Sequence, residues 1–133
     1  MPRPPRMLLP DRPTVYHVMS RTALPGLPFD GIDKDDFLAR LKTLSRIYFS
    51  EILGFCLMDN HFHILVRMFP ENHVPDVEVV ERYRLKYGDE AMFPESRMQE
   101  FRKKWSSLPD FVRELKQSFS RKFNKRRRRK GAW

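Results

Sequence analysis

Residues 51–69 read EILGFCLM, DN, HFHILVRMF: two apolar, β-forming runs joined by two turn-forming residues. Connections this short join antiparallel neighbours, so a β-hairpin is expected here. Side chains alternate between the two faces of a strand. Phe62, Ile64 and Val66 therefore share one face, while His61 and His63 share the other. The chain must cover the apolar face with other elements, and two imidazoles are left on the reverse, about 6–7 Å apart along the strand.

The remaining segments supply candidates for that cover. The first thirteen residues hold five prolines and three arginines and are expected to form an extended arm. TVYHVMSR (14–21) reads as a first strand, followed by the Gly/Pro-punctuated loop TALPGLPFDG. A helix is expected next, with Asp33 as N-cap and Asp35 and Asp36 in its first turn. Phe37, Leu38, Leu41, Leu44, Ile47 and Tyr48 then recur at helical spacing. After the hairpin, residues 70–108 are charged, carry prolines at 70, 75 and 94, and hold two helix-like pieces near 76–87 and 95–105. This segment reads as a helical insertion and not as a second domain. A late helix carries an apolar stripe of Phe111, Val112, Leu115, Phe119 and Phe123, whose spacing favours core packing over base stacking. The order β-α-β-β-(insertion)-α implies one α+β domain over residues 1–133: a ferredoxin-like βαββαβ unit short of its last strand.

Charge narrows the partner. A net charge of +9 and a pI near 10.1 favour a polyanion, with nucleic acid ahead of an anionic membrane surface. The basic tract 121–130 places eight positive charges in ten residues: Arg121, Lys122, Lys125, Arg126, Arg127, Arg128, Arg129 and Lys130. They are expected to contact phosphates, and Arg3, Arg6 and Arg12 of the arm could track a nucleic-acid backbone in the same way. No apolar run is long enough for a membrane span. The lone cysteine, Cys56, can form no internal disulfide, and its apolar neighbours suggest a buried thiol in a reducing cytoplasm.

The two histidines can converge on one divalent ion, although His-x-His on an amphipathic strand also suits an ordinary half-exposed surface. Zinc ordinarily takes a fuller donor set, often with thiolates. Mg²⁺ or Mn²⁺, which keep positions open for phosphate oxygens, are the expected ions. His17, on the first strand, would either orient a ligand or make a structural polar contact. Asp59 and Asn60 would shape the turn or fix imidazole orientation. His73 lies among prolines in the insertion and is expected to have no catalytic part.

The stretches RPPRMLLPDRPTVYHVMSR, GFCLMDNHFHILV and ELKQSFSRKFNKRRRRKGAW resemble, in order and spacing, the IS200-like tyrosine transposases, and most of all the REP-associated branch. The resemblance spans nearly the whole chain apart from 70–108, and LMDNHFHILV is its specific part. It implies an HUH endonuclease in which His61-Phe62-His63 is the HUH triplet. The two histidines would bind Mg²⁺ or Mn²⁺ at the scissile phosphate of single-stranded or hairpin DNA, while a tyrosine forms a 5′-phosphotyrosine. It also makes Arg3 and Arg6 candidates for identifying the element end. In that family the nucleophile lies beyond the position of Gly131-Ala132-Trp133, a place that none of Tyr16, Tyr48, Tyr83 and Tyr87 occupies. A chain truncated before its catalytic tyrosine is therefore expected, binding metal and DNA without cleaving. The competing expectations are a non-catalytic nucleic-acid-binding relative and an RNA-binding ferredoxin-like domain. The second is disfavoured because neither candidate strand carries the aromatic platform of an RRM.

Overall fold

The computed structural model describes residues 8–21 and 29–127. In chain order they form β1 (Thr14–Arg21), α1 (Gly31–Ile47), β2 (Ser50–Leu57), β3 (His61–Met68), α2 (Asp76–Tyr87), a single 3₁₀ turn (Glu95–Arg97), α3 (Met98–Trp105) and α4 (Leu108–Arg127). The sheet order is β1-β3-β2, with both neighbours antiparallel to β3. This is the α+β, ferredoxin-like arrangement, with three strands among the described residues. No helix among these residues is long and apolar enough to cross a membrane.

Strand alternation decides which side of the sheet is covered. Phe62, Ile64, Val66 and Met68 of β3 are buried, as are Val18 and Ser20 of β1. Phe37, Leu41, Leu44 and Ile47 of α1 and Phe111, Leu115, Phe119 and Phe123 of α4 belong to the same core. Aromatic edges knit the layers: Phe37 packs 4.8 Å from Phe62 and 5.4 Å from Phe119, centroid to centroid. Each fully buried side chain of this size contributes about 1.5–3 kcal/mol. The opposite face stays open, exposing Val15, Met19 and Leu65 beside the histidines.

The helix α1 starts earlier than the sequence suggests. Its N-cap is Asp30, and Asp33 is the third helical residue, each carboxylate accepting the other's backbone N–H in a capping box. Two carboxylates three apart, Asp30 and Asp33, compete for the cap. The winner is the one that lets Asp33 turn inward, where it is 1% exposed and paired with Arg126 of α4.

The cysteine expectation is overturned. Cys56 is free and exposed. Ile52 pairs with Val66 but Gly54 pairs with Leu65, so Leu53 is an extra residue in β2. Such a bulge shifts the alternation of everything after it. Without it Cys56 would face the core. With it Cys56 stands opposite His63 on the open face, and Leu57 faces inward opposite Phe62.

The insertion joins the core instead of standing apart from it. Val79, Phe101 and Trp105 are buried in the common cluster. Two arginines anchor it. Arg82 donates from Nη1 to the carbonyls of Arg46, Ile47 and Tyr48, which end α1, and Arg102 donates to those of Glu71 and Val74 and to Asp76. A cation at a helix C-terminus also suits the helix dipole.

Two outcomes follow. Arg102→Met should lower stability by about 1–3 kcal/mol, because buried carbonyls lose their donor; urea denaturation measures it, and an unchanged midpoint contradicts the anchoring role. Cys56 in the native protein should react with Ellman's reagent as fast as in urea, and protection until unfolding would place the thiol back in the core.

Candidate metal and nucleic-acid site

Strand pairing brings four of the sequence-predicted residues together at one end of the open face. Met58 N–H donates to the His61 carbonyl at 2.8 Å, closing the Asp59–Asn60 turn and placing Asn60 directly before β3. His61 and His63 then follow on one face, with ring centroids 5.2 Å apart and planes at 84°. Both are half-buried. His17 is two residues along β1 from Met19, the register partner of His63, and on the same face.

The hydrogen bonds fix the rings. His61 Nδ1 lies 2.7 Å from Asn60 Oδ1, which can only accept, so Nδ1 carries a proton and in the neutral ring the lone pair is on Nε2. His17 Nε2 and His63 Nδ1 are 3.0 Å apart, and the rings are parallel to within 5° with centroids at 5.2 Å. Parallel rings with nitrogens this close cannot overlap face to face; they lie edge to edge and share one proton. When His63 donates it, His63 Nε2 is unprotonated as well. A neighbour that holds Nδ1–H and leaves Nε2 free is the usual support for a metal-binding imidazole.

Among the described residues, the open face offers a metal ion the two imidazole nitrogens of His61 and His63. Among the described residues no group of three or more His, Cys, Asp or Glu side chains is arranged to hold a metal ion. A divalent ion would take its other ligands from phosphate oxygens and water, which is the donor set that Mg²⁺ and Mn²⁺ accept. The two imidazoles fit such an ion in the tautomer where His63 donates to His17, with substrate completing the shell.

The basic tract is divided. The α4 helix packs on the covered side of the sheet, away from the imidazoles. Lys122 pairs with Asp36 at 3.1 Å, and Arg126 pairs with Asp30 at 3.1 Å and with buried Asp33. Both therefore tie α4 to α1. Arg121 and Lys125 are exposed. Arg3, Arg6, Arg128, Arg129, Lys130 and the side chain of Arg127 lie outside the described residues, as does Gly131-Ala132-Trp133. The end of α4 nevertheless lies near the hairpin turn. Phe29 N–H donates to the Asp59 carbonyl at 3.0 Å, Lys34 pairs with the Asp59 carboxylate, and Asp33, Lys34, Phe119 and His61 line one small crevice.

No tyrosine shares the histidine face. Tyr16 alternates with His17, and its hydroxyl accepts from the Leu9 N–H at 2.8 Å. Tyr48 is fully buried and donates to Glu114; burial and that carboxylate push its phenol far above the usual range. Burial also pushes Glu114 up, yet the hydrogen bonds from Lys86 and Tyr48 hold it below its ordinary value. Tyr83 and Tyr87 sit in an aromatic cluster with Phe93 and Phe101. His73 stacks on Phe69 at 3.9 Å, and burial lowers its pKa.

Sequence reasoning missed the sulfur pair beside the histidines: Cys56 Sγ lies 3.5 Å from Met58 Sδ. The available signal was Gly54, since glycine inside a strand often marks a bulge. No family model, curated protein or solved structure matches the chain at a significant level.

The α1 cap has a pH signature. The Asp33 N–H, opposed by desolvation and aided by Arg126, lowers the Asp30 carboxyl from 3.8 to about 2. A depressed carboxyl stabilises the fold fully above its unfolded value and loses that contribution as pH falls through the folded one. The stabilisation of the first turn of α1 should therefore decline as pH falls below 3.8 and be fully lost only below pH 2. A carboxyl carbon NMR titration of Asp30 with a midpoint at the ordinary value would contradict the cap.

Proposed function

We propose that this chain is the metal- and DNA-holding domain of an IS200-like, HUH-type tyrosine transposase, acting on single-stranded or hairpin DNA. The observation that carries the reading is the oriented pair on the open face: His61 and His63, 5.2 Å apart, with Nδ1 of the first held by Asn60 and Nδ1 of the second by His17. The resemblance of LMDNHFHILV to the HUH motif and the net charge of +9 support it. The proposed ion is Mg²⁺ or Mn²⁺, held by His61 and His63. Such an ion, when bound, stabilises negative charge growing on phosphate oxygens. His17 and Asn60 are positioning residues: Asn60 holds the His61 Nδ1–H, and His17 accepts the His63 Nδ1–H in the tautomer that leaves His63 Nε2 free for the ion.

Arg121 and Lys125 hold the strand through its phosphates, and the strand rounds the end of the sheet near the hairpin turn to reach the imidazoles. Arg3, Arg6 and the cations from Arg127 to Lys130 extend this contact in the same reading, which carries with it a cytoplasmic, nucleoid-associated location. The reading assigns no nucleophile to Tyr16, Tyr48, Tyr83 or Tyr87. That same distribution of tyrosines favours a second reading, a non-catalytic DNA-binding relative of such an enzyme.

Fluorescence anisotropy with a labelled hairpin oligonucleotide separates the two. Mn²⁺ should tighten binding to the wild type, and His61→Ala plus His63→Ala should remove that increment while leaving metal-free affinity in place. An equal increment in the double variant would falsify the metal assignment, and no increment in the wild type favours the second reading. Asn60→Ala should weaken Mn²⁺ binding roughly 10–100-fold through loss of ring orientation. Arg121→Ala plus Lys125→Ala should reduce the slope of log affinity against log salt by roughly 1.4, two single-strand phosphate contacts. The chain should form no covalent DNA adduct on denaturing gels; a band would restore one of its tyrosines as nucleophile.

A further inference from the structure

The open face carries sulfur as well as imidazole. The row that crosses the sheet at His63 consists of Met19 on β1, His63 on β3 and Cys56 on β2. Side chains directly opposite in antiparallel strands have Cβ atoms about 4.5–5.5 Å apart, so a thioether and a thiol flank the ring. The Cys56 thiol in turn touches the Met58 thioether, Sγ to Sδ 3.5 Å. Cys56, Met58 and Met19 are all exposed. Core packing does not account for them, and neither does a hard divalent ion, which takes oxygen donors.

Thiolate, thioether and imidazole together are the donors that select Cu(I). Zinc fits less well, because its sites are built from Cys, His and carboxylates and no three of these stand together among the described residues. The bulge at Leu53 is what assembles the set, since it turns Cys56 out to His63. We propose that Cys56, Met58 and His63 form a three-coordinate site for a soft monovalent ion, Cu(I), on the open face of the sheet. Binding releases the Cys56 thiol proton to solvent, and copper enters and stays in the +1 state. His63 Nε2 can serve only one ion, so Cu(I) displaces a divalent ion that relies on the same ring. The site itself requires neither DNA nor His61.

Competition with bathocuproine disulfonate under anaerobic, reducing conditions tests it. The wild-type chain should withhold one equivalent of Cu(I) from the chelator. Cys56→Ser, Met58→Leu and His63→Ala should each weaken retention by at least the roughly 10–100-fold that follows from losing even a ligand's supporting contacts. All three alter exposed or half-buried surface positions, and unchanged circular dichroism checks their fold. His61→Ala should keep Cu(I) while losing the Mn²⁺-dependent gain in DNA affinity, so failure of one site is distinguishable from failure of the other. A wild type that surrenders all its copper, or Cys56→Ser and Met58→Leu variants that retain it as tightly as the wild type, overturns the proposal.

Discussion

Everything in this molecule depends on a three-stranded sheet that is buried on one side only. β3 is central and carries both demands in one run: Phe62, Ile64 and Val66 into the core, His61 and His63 out of it. A one-residue slip of its register would exchange the two sets. The core therefore enforces the position of the imidazoles, because the penalty for misplacing them is the exposure of three large apolar side chains. Rigid placement of ligands costs nothing further once the hydrophobic face is satisfied.

Charge serves the fold before it serves a partner. Lys122 and Arg126 neutralise the acidic N-terminus of α1, Arg82 closes its C-terminus, and Arg102 secures the loop that enters α2. Buried Asp33 would be costly without Arg126, since an ionised carboxylate out of water needs a paired cation. A sequence with 26 basic residues thus has fewer available for phosphate than its composition suggests. Of the four exposed cations on the described part of the basic tract, Lys122 and Arg126 are tied to α1, which leaves Arg121 and Lys125 facing solvent outside those pairs.

Most elements were legible because their periodicity is strong. The observed bounds Thr14–Arg21, Asp76–Tyr87 and Leu108–Arg127 follow the alternation or helical spacing of their apolar residues, and Phe119 and Phe123 pack inward as that spacing requires. What escaped was local and competitive. Asp30 and Asp33 are both able caps, and the choice is made by a tertiary partner, Arg126, about ninety residues away along the chain. The apolar neighbours of Cys56 point to a buried thiol because composition carries no sign of an extra residue in β2; Gly54 is the local signal of the bulge that turns it outward. His17 beside His63 follows from antiparallel pairing of β1 with β3, but its hydrogen bond to that ring depends on side-chain torsions that no periodicity encodes. That α4 packs on the covered side of the sheet and approaches His61 only around the hairpin turn likewise depends on how the layers assemble.

The central claim is that the two Nε2 atoms on the open face share a divalent ion. Long-range proton–nitrogen spectra of the imidazoles, recorded as Mn²⁺ is added to the chain with a DNA hairpin present, test it most directly. Paramagnetic broadening should erase the ring signals of His61 and His63 first, at substoichiometric metal, while His73, stacked on Phe69, stays sharp. Broadening that reaches His73 equally, or leaves the His61 and His63 rings untouched at saturating Mn²⁺, would contradict the account.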